Sequence, residues 1–449
     1  KSGKALDSEL RDSIQEVAQE DPEFILKLAY KARKDYYLRT VPVVLMGEYA
    51  MLPGKGIPNG KRYISETISR ADEITELLAY VMSQNKTRKA FAGKLPHVVK
   101  HGVAGAFQKF NAYALAKYNR DGDVKLRDAM FMTHPKPKDD AQAQVFKDLA
   151  NGTLATPDTW EVALSTKGAS KETWESIIPS MGYMALLRNL RNFEQHKVNL
   201  APVIQKLTDP EEVKNSKQFP YRFFTAYNEV STSKLLDALQ DAIELSIDNV
   251  PQYPGVTFVA SDNSGSMHDP VNEKSKVRRI DIASLFSSMV HRKSEDSIIS
   301  VFGESFATVP LSSRDGIITN MGKIANKDVG HSTQAYLAIK YLTDKQIMVD
   351  RIVLFSDMQC YSTRGGFFHS GRESAQAELI KYKRLVSPNV FVYSFDVANY
   401  GTTQFPKDED RVCLAGGFSD KVLSFIPMFE RSRADMLAEI ESVSLPNID

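Results

Sequence analysis

The chain has 449 residues, long for one domain, so two or three are expected. Its 42% hydrophobic and 25% charged residues are those of a globular chain, and a formal net charge of +1 points to no partner, so only local charge can. Two cysteines, Cys360 and Cys413, stand in no metal-ligand or redox spacing, which argues against a disulfide framework and for a reducing, cytoplasmic setting. No apolar run is long enough to cross a bilayer, and Lys1-Ser-Gly-Lys-Ala carries no apolar signal core.

From Leu6 to about Val250 the apolar residues recur at helical spacing. Phe24, Leu28 and Ala32 form one stripe, and Ile74, Leu77, Leu78 and Val81 a second. Leu235, Leu236, Leu239, Ala242 and Ile243 form a third. Prolines at 22, 53, 96, 135, 157, 179, 202, 210 and 220 divide the region into helices of roughly one to two dozen residues. No β-rich run precedes Val256. Many helices in series suggest a solenoid with repeats of about 40 to 47 residues, and a compact bundle fits the pattern too.

Charge is uneven along this half. Between Glu76 and Asp121 there is no acidic residue, while eight are basic: Lys86, Arg88, Lys89, Lys94, Lys100, Lys109, Lys117 and Arg120. Phe91, Phe107, Phe110, Tyr113 and Tyr118 are interleaved. Cations attract phosphate and aromatic faces can stack unpaired bases, the two elements of single-strand binding. The competing reading is a solvated face with its aromatics turned inward; Phe107, Phe110 and Ala114 fit a core stripe and are assigned to packing. Arg127, His134 and Lys136 follow in Leu126–Pro137. A His before Pro near a helix end can equally be a cap. Arg188 and Arg191, three apart in Leu-Arg-Asn-Leu-Arg-Asn, are expected on one helix face. They either hold phosphates or tie neighbouring repeats together through carboxylates.

The last part changes character. Val256–Ala260 is a short apolar run that ends in Ser-Asp262-Asn-Ser264-Gly-Ser266, and Arg351–Ser356 is a second run ending in Asp357. Such runs read as buried parallel strands, and turns at their carboxyl ends are where doubly wound sheets bind ligands. Carboxylates and hydroxyls without thiol or imidazole suit Mg²⁺, Mn²⁺ or Ca²⁺ and disfavour zinc. Between the runs, Gly330-His-Ser-Thr333-Gln places Thr333 at the start of a helix expected over 333–341. Arg278-Arg279 reads as a solvated helix start. Gly365-Gly366-Phe-Phe-His369 reads as a surface loop beside the turn, and 431–443 as a final amphipathic helix able to pack on the first half. Nothing places two metals about 4 Å apart, no general base sits beside the turn, and Ser264 lacks the Gly-x-Ser-x-Gly elbow. The expectation is therefore a non-enzyme.

Asp262-x-Ser264-x-Ser266, Thr333 and Asp357 follow in the order of the metal-ion-dependent adhesion site of a von Willebrand factor A domain. By that resemblance Ser264, Ser266 and Thr333 coordinate a divalent cation, most simply Mg²⁺. Asp262 and Asp357 act directly or through water, and one position stays open for an acidic group. Upstream, Lys117-Tyr118, Leu126–Pro137, Ile178–Asn192 and Phe219–Asn228 resemble the TROVE module of the Ro autoantigen family, which joins a HEAT-repeat ring to a von Willebrand A domain in this order. The match spans nearly the whole chain and implies a bacterial or viral member. The fold it implies is α plus α/β: a helical-repeat RNA-binding domain at 1–250 and a doubly wound α/β domain with a C-terminal helix at 251–449.

The resemblance further implies a monomeric scaffold for small non-coding Y-like RNA on an outer basic face. Single-stranded 3′ ends of misfolded RNA would enter the ring's hole, in RNA quality control, in some relatives with a tethered exoribonuclease. RNA contacts would fall on Lys117, Arg120, Arg127, His134, Lys136, Arg188 and Arg191. Where the family has an Arg four residues after that Lys, this chain has Asp121. The rival reading is a metal-dependent protein-interaction module that grips an acidic residue of a partner.

Overall fold

A computed structural model describes residues 8–52, 57–88, 94–273, 275–357, 374–398, 404–406, 409–416 and 420–446. By contacts the chain divides into two compact units: Lys1–Ala163 with Ser432–Asp449, and Leu164–Arg431. Secondary structure changes elsewhere: the described residues are helical up to Asn249, and the first strand starts at Tyr253.

The described elements of the first unit are all helices. Asp21 caps the helix Pro22–Lys34 by accepting from the Phe24 amide at 3.0 Å, and Pro22 sits in the first turn, where its missing N–H costs nothing. The stripe Ile74, Leu77, Leu78 and Val81 is fully buried on the helix Ala71–Arg88, as its spacing demands. Phe107 and Phe110 are buried as expected, and Ala114 packs against the same core. Glu48 is fully buried and accepts from Gln15 at 2.9 Å and from the Tyr80 hydroxyl. The closing helix is Arg433–Glu441. It buries none of its own side chains, contrary to the expected apolar face. It is held instead by Lys31 to Glu439 at 2.8 Å and Lys27 to the Glu441 carbonyl at 2.8 Å. Val443 and Leu445, just beyond it, pack on the unit's core.

The helices are shorter than proline spacing suggested, from 18 residues in Ala71–Arg88 down to six in Tyr183–Arg188 and Leu190–Gln195. An asparagine makes one of the extra breaks. Asn189 is buried, closes one helix and opens the next, its side chain bonding the Ala185 carbonyl at 2.8 Å.

In the second unit, helices from Lys171 to Ser246 join a three-layer α/β body. Its strands are β1 Tyr253–Asp262, β2 Ser294–Phe302, β3 Phe306–Thr308, β4 Arg351–Ser356, β5 Phe391–Asp396 and β6 Val412–Gly416. The order is β3-β2-β1-β4-β5-β6, parallel except for the edge strand β3. Alternation along the strands serves both faces. Phe258, Ala260, Ile352 and Leu354 pack under Ala338, Ile339, Leu342, Leu379 and Tyr382. On the opposite face, Phe355 meets Phe286 of the helix Arg279–Lys293 at 5.8 Å between ring centroids. The preceding helices are tied on by Tyr221 against Phe286 at 6.1 Å and by Glu244, which takes Arg292 at 3.3 Å and the Ile317 amide at 2.5 Å. The chain leaves β1 for neighbours on both sides, so the strand order reverses between β1 and β4. That crevice is the switch point at which such sheets bind ligands.

Candidate nucleic-acid interface and metal turn

The predicted RNA residues of the first unit lie on consecutive elements. Lys117 lies in the last turn of the helix Ala112–Tyr118, and its ammonium sits 5.6 Å from the Tyr113 ring centre and 5.9 Å from that of Tyr118. Arg120 is exposed in the following turn. Arg127 is exposed on the helix Leu126–Thr133, 5.6 Å from the exposed ring of Phe131. Lys136 is exposed, its carbonyl accepting from Gln108 at 2.9 Å. His134 is the cap that its position allows, and it leaves its side chain outside. Its backbone is the left-handed cap of Leu126–Thr133, φ 51°, with its amide on Met130 O at 2.9 Å, while its side chain is exposed. Asp121, at the departure from the family pattern, pairs with Lys125 at 2.7 Å. Lys89 and Phe91 of the basic stretch lie outside the described residues, as does the Gly365–His369 run.

Arg188 and Arg191 do not share a helix, because the chain breaks at Asn189. They nevertheless line one pocket of about 510 Å³ in the second unit, together with Arg222, Gln218, Thr225 and Glu229. The three guanidiniums are not equivalent. Arg191 is held by Glu229 at 3.1 Å, and Glu229 also takes Lys276 at 3.6 Å. Arg188 and Arg222 are exposed and have no acidic partner among the described residues. The tie-rod reading therefore suits Arg191, and the anion reading suits Arg188. Arg222 was not singled out from sequence. Its signal was present in Pro220-Tyr-Arg-Phe-Phe: Tyr221, Phe223 and Phe224 turn inward on the helix Pro220–Tyr227 and leave Arg222 outside.

The Asp-x-Ser-x-Ser turn forms at the switch point. Asp262 ends β1 and Asp357 follows β4; both are fully buried. Asp262 accepts from the Ser264 amide at 2.9 Å and the Ser356 hydroxyl at 2.6 Å. Burial pushes its carboxyl up to about 6; hydrogen bonds from Ser264 and Ser356 limit the rise, and the charge of Asp357 adds to it. Ser266 is half-buried. Gly265 donates to the His331 carbonyl at 3.0 Å, which docks the Thr333 loop against the turn. Thr333 lies in that loop, three residues before the helix Tyr336–Lys345 rather than at its start; the helix begins late because Gln334 donates its amide across to Gly303 O at 3.1 Å.

The donor chemistry fits a hard cation. The Ser264 hydroxyl is fully buried and makes no well-aligned hydrogen bond among the described residues, its one polar influence falling on the Asp262 carboxylate, and a bound ion would satisfy it. Among the described residues no group of three or more His, Cys, Asp or Glu side chains could hold a metal, so neither a carboxylate cage nor a zinc site competes with the turn. One residue departs from the expectation. Arg278 is the partly exposed cap residue predicted, bonded to Asp281 at 2.7 Å, but Arg279 turns inward. Its side chain is 12% exposed, and its Nη1 donates to Asp357 Oδ2 at 3.1 Å and Ser266 O at 3.0 Å.

Residues 6–153 and 150–279 match the TROVE domain. The chain is 24% identical over 307 residues to telomerase protein component 1 of Mus musculus, which takes in 49% of this chain and 12% of that one. It is 22% identical over 321 residues to the RNA-binding protein RO60 of Deinococcus radiodurans, 59% of this chain and 60% of that one. The chain thus spans less than two thirds of the length of either relative. The crystal structure of the Deinococcus radiodurans Ro protein superposes with a TM-score of 0.75 at 18% identity, covering 94% of both chains, so the fold is helical repeats joined to a von Willebrand A-like α/β domain. A TROVE match over more than half of the sequence makes the chain a member of the TROVE-domain family, of the Ro type.

Proposed function

We propose that the protein is a non-catalytic, RNA-binding scaffold that takes phosphates of single-stranded RNA in the arginine pocket and docks structured RNA on the basic surface of the first unit. The carrying observation is the pocket itself: Arg188 and Arg222 line a concave site and neither pairs with a carboxylate among the described residues, while Glu229, which also lines it, is engaged by Arg191. A pocket carrying two unpaired cations favours a flexible strand over a stiff duplex. Lys117, Arg120, Arg127, His134 and Lys136 supply cations and exposed aromatic neighbours for a small non-coding, Y-like RNA. In RNA quality control, such a scaffold presents a 3′ end to a partner such as an exoribonuclease. The test is equilibrium binding of one stem-loop with and without a single-stranded 3′ tail, at matched salt. Preference for the tailed RNA is expected; equal binding overturns the pocket reading.

A second role rests on the buried Ser264 hydroxyl, which makes no well-aligned hydrogen bond beside the Asp262 carboxylate. Asp262, Ser264, Ser266, Thr333 and Asp357 would hold Mg²⁺, Mn²⁺ or Ca²⁺, and a bound cation supplies one open position for an acidic group of a protein partner. Asp262→Ala should abolish such an interaction and leave RNA binding intact.

A further inference from the structure

Arg279 stands where a cation-binding turn should not have a cation. Its guanidinium bonds Asp357, a carboxylate of the site, and the carbonyl of Ser266, whose hydroxyl belongs to the same site. One side chain thus spans both halves of the crevice, the turn after β1 and the end of β4. It is held in place from behind. Arg279 opens the helix Arg279–Lys293, its amide bonds Asp269 O at 3.1 Å, and the loop between is closed by the Pro270–Arg278 bridge and by Val271 N to Val277 O at 3.0 Å. A second acceptor lies within reach: the Asp269 carboxylate, 65% exposed, is 3.7 Å from the same Nη1.

Among the described residues two carboxylates therefore compete for this guanidinium, one buried inside the site and one at its rim. A divalent ion needs the lone pairs that Asp357 now gives to Arg279, and it meets a fixed positive charge beside them. At short range and low solvent exposure that repulsion is large. The buried partner wins while the site holds no cation, because an uncompensated buried carboxylate is costly. Once a cation neutralises Asp357, the exposed Asp269 becomes the better partner.

We propose that Arg279 is a built-in counter-ion of the metal turn: it holds Asp357 until a divalent cation arrives, then swings to Asp269, and so sets the cation concentration at which the site fills. This rests on the cation reading of the turn and adds to it a competitor within the chain. Mn²⁺ binding is measured on the full chain by the electron paramagnetic resonance signal of free Mn²⁺, for wild type, R279M and D269N. D262N serves to subtract other sites. R279M should bind about tenfold more tightly or better than wild type, and D269N about threefold more weakly, since the released guanidinium has lost its landing place. Equal or weaker binding by R279M overturns the counter-ion while the cation reading stands. No saturable binding by any of these proteins removes both. If R279M does not fold, D269N decides: wild-type affinity there overturns the proposal.

Discussion

Removing the two unpaired guanidiniums of the pocket should change how binding of a single strand responds to salt, more than it changes the fold. Each phosphate neutralised contributes about −0.7 to the slope of log affinity against log salt for a single strand. Arg188 and Arg222 are exposed and unpaired, so the double change R188Q/R222Q should make the slope shallower by about 1.4. Between 50 and 200 mM salt, wild type should then lose about sevenfold more affinity than the variant. Arg191 is already engaged with Glu229, so R191Q should have the smallest effect of the three. The opposite sign is available in the same pocket. E229Q frees Arg191 and Lys276 together, and should tighten binding and steepen the slope. The assay is fluorescence anisotropy of a labelled single-stranded RNA across that salt range, with near-unchanged circular dichroism as the fold control. An unchanged slope in R188Q/R222Q would refute the pocket as the strand site, and a weakened E229Q would refute the charge argument behind it.

Other outcomes follow from the same geometry. H134G separates the cap from the contact: the left-handed backbone suits glycine, so stability should hold or rise by about 0.5–1 kcal/mol in urea unfolding, while binding of a stem-loop RNA weakens. K117A should weaken the same complex without a stability change, as Lys117 makes no ion pair among the described residues. R351M should cost about 3–5 kcal/mol in denaturant unfolding, because it strips Glu430 of a two-point ion pair at 2.6 and 2.8 Å and leaves the Thr257 hydroxyl and Pro254 carbonyl without their donor. R351M/E430L should recover much of that loss. Burial holds the His291 imidazole below its ordinary range, with Arg292 adding to the effect. The unfolded chain therefore takes up a proton more readily there, and stability should fall as pH drops below about 6.5. H291N should flatten that limb of the pH–stability curve.

What was legible in the sequence is what the chain states locally. Val256–Ala260 and Arg351–Ser356 read as buried strands because both faces of the sheet are covered, and the Asp-x-Ser-x-Ser turn followed from where the first of them ends. The stripe from Ile74 to Val81 was readable for the same reason. Pairings across long separations were not. Arg279 and Asp357 are 78 residues apart, and no local pattern tells a solvated arginine at a helix start from one turned inward. Arg191 and Glu229 are 38 apart, so the division of labour among the pocket arginines appeared only once the helices were placed. Asn189 broke a helix that periodicity carried through, because a buried amide that bonds the backbone of its own turn competes with the helix ladder.

The first unit is built from two separated stretches, Lys1–Ala163 and Ser432–Asp449, with Leu164–Arg431 threaded between them. On a ribosome these pieces arrive far apart in time. At about 5–20 residues per second, the stretch between them takes on the order of 10–50 s to emerge. Through that interval Lys31 lacks Glu439, and the core lacks the covering supplied by Val443 and Leu445. The second unit, continuous in sequence, can close first. The first must wait for the stretch that follows Arg431, and until then its unfinished apolar surface is the part of the nascent chain most in need of shelter.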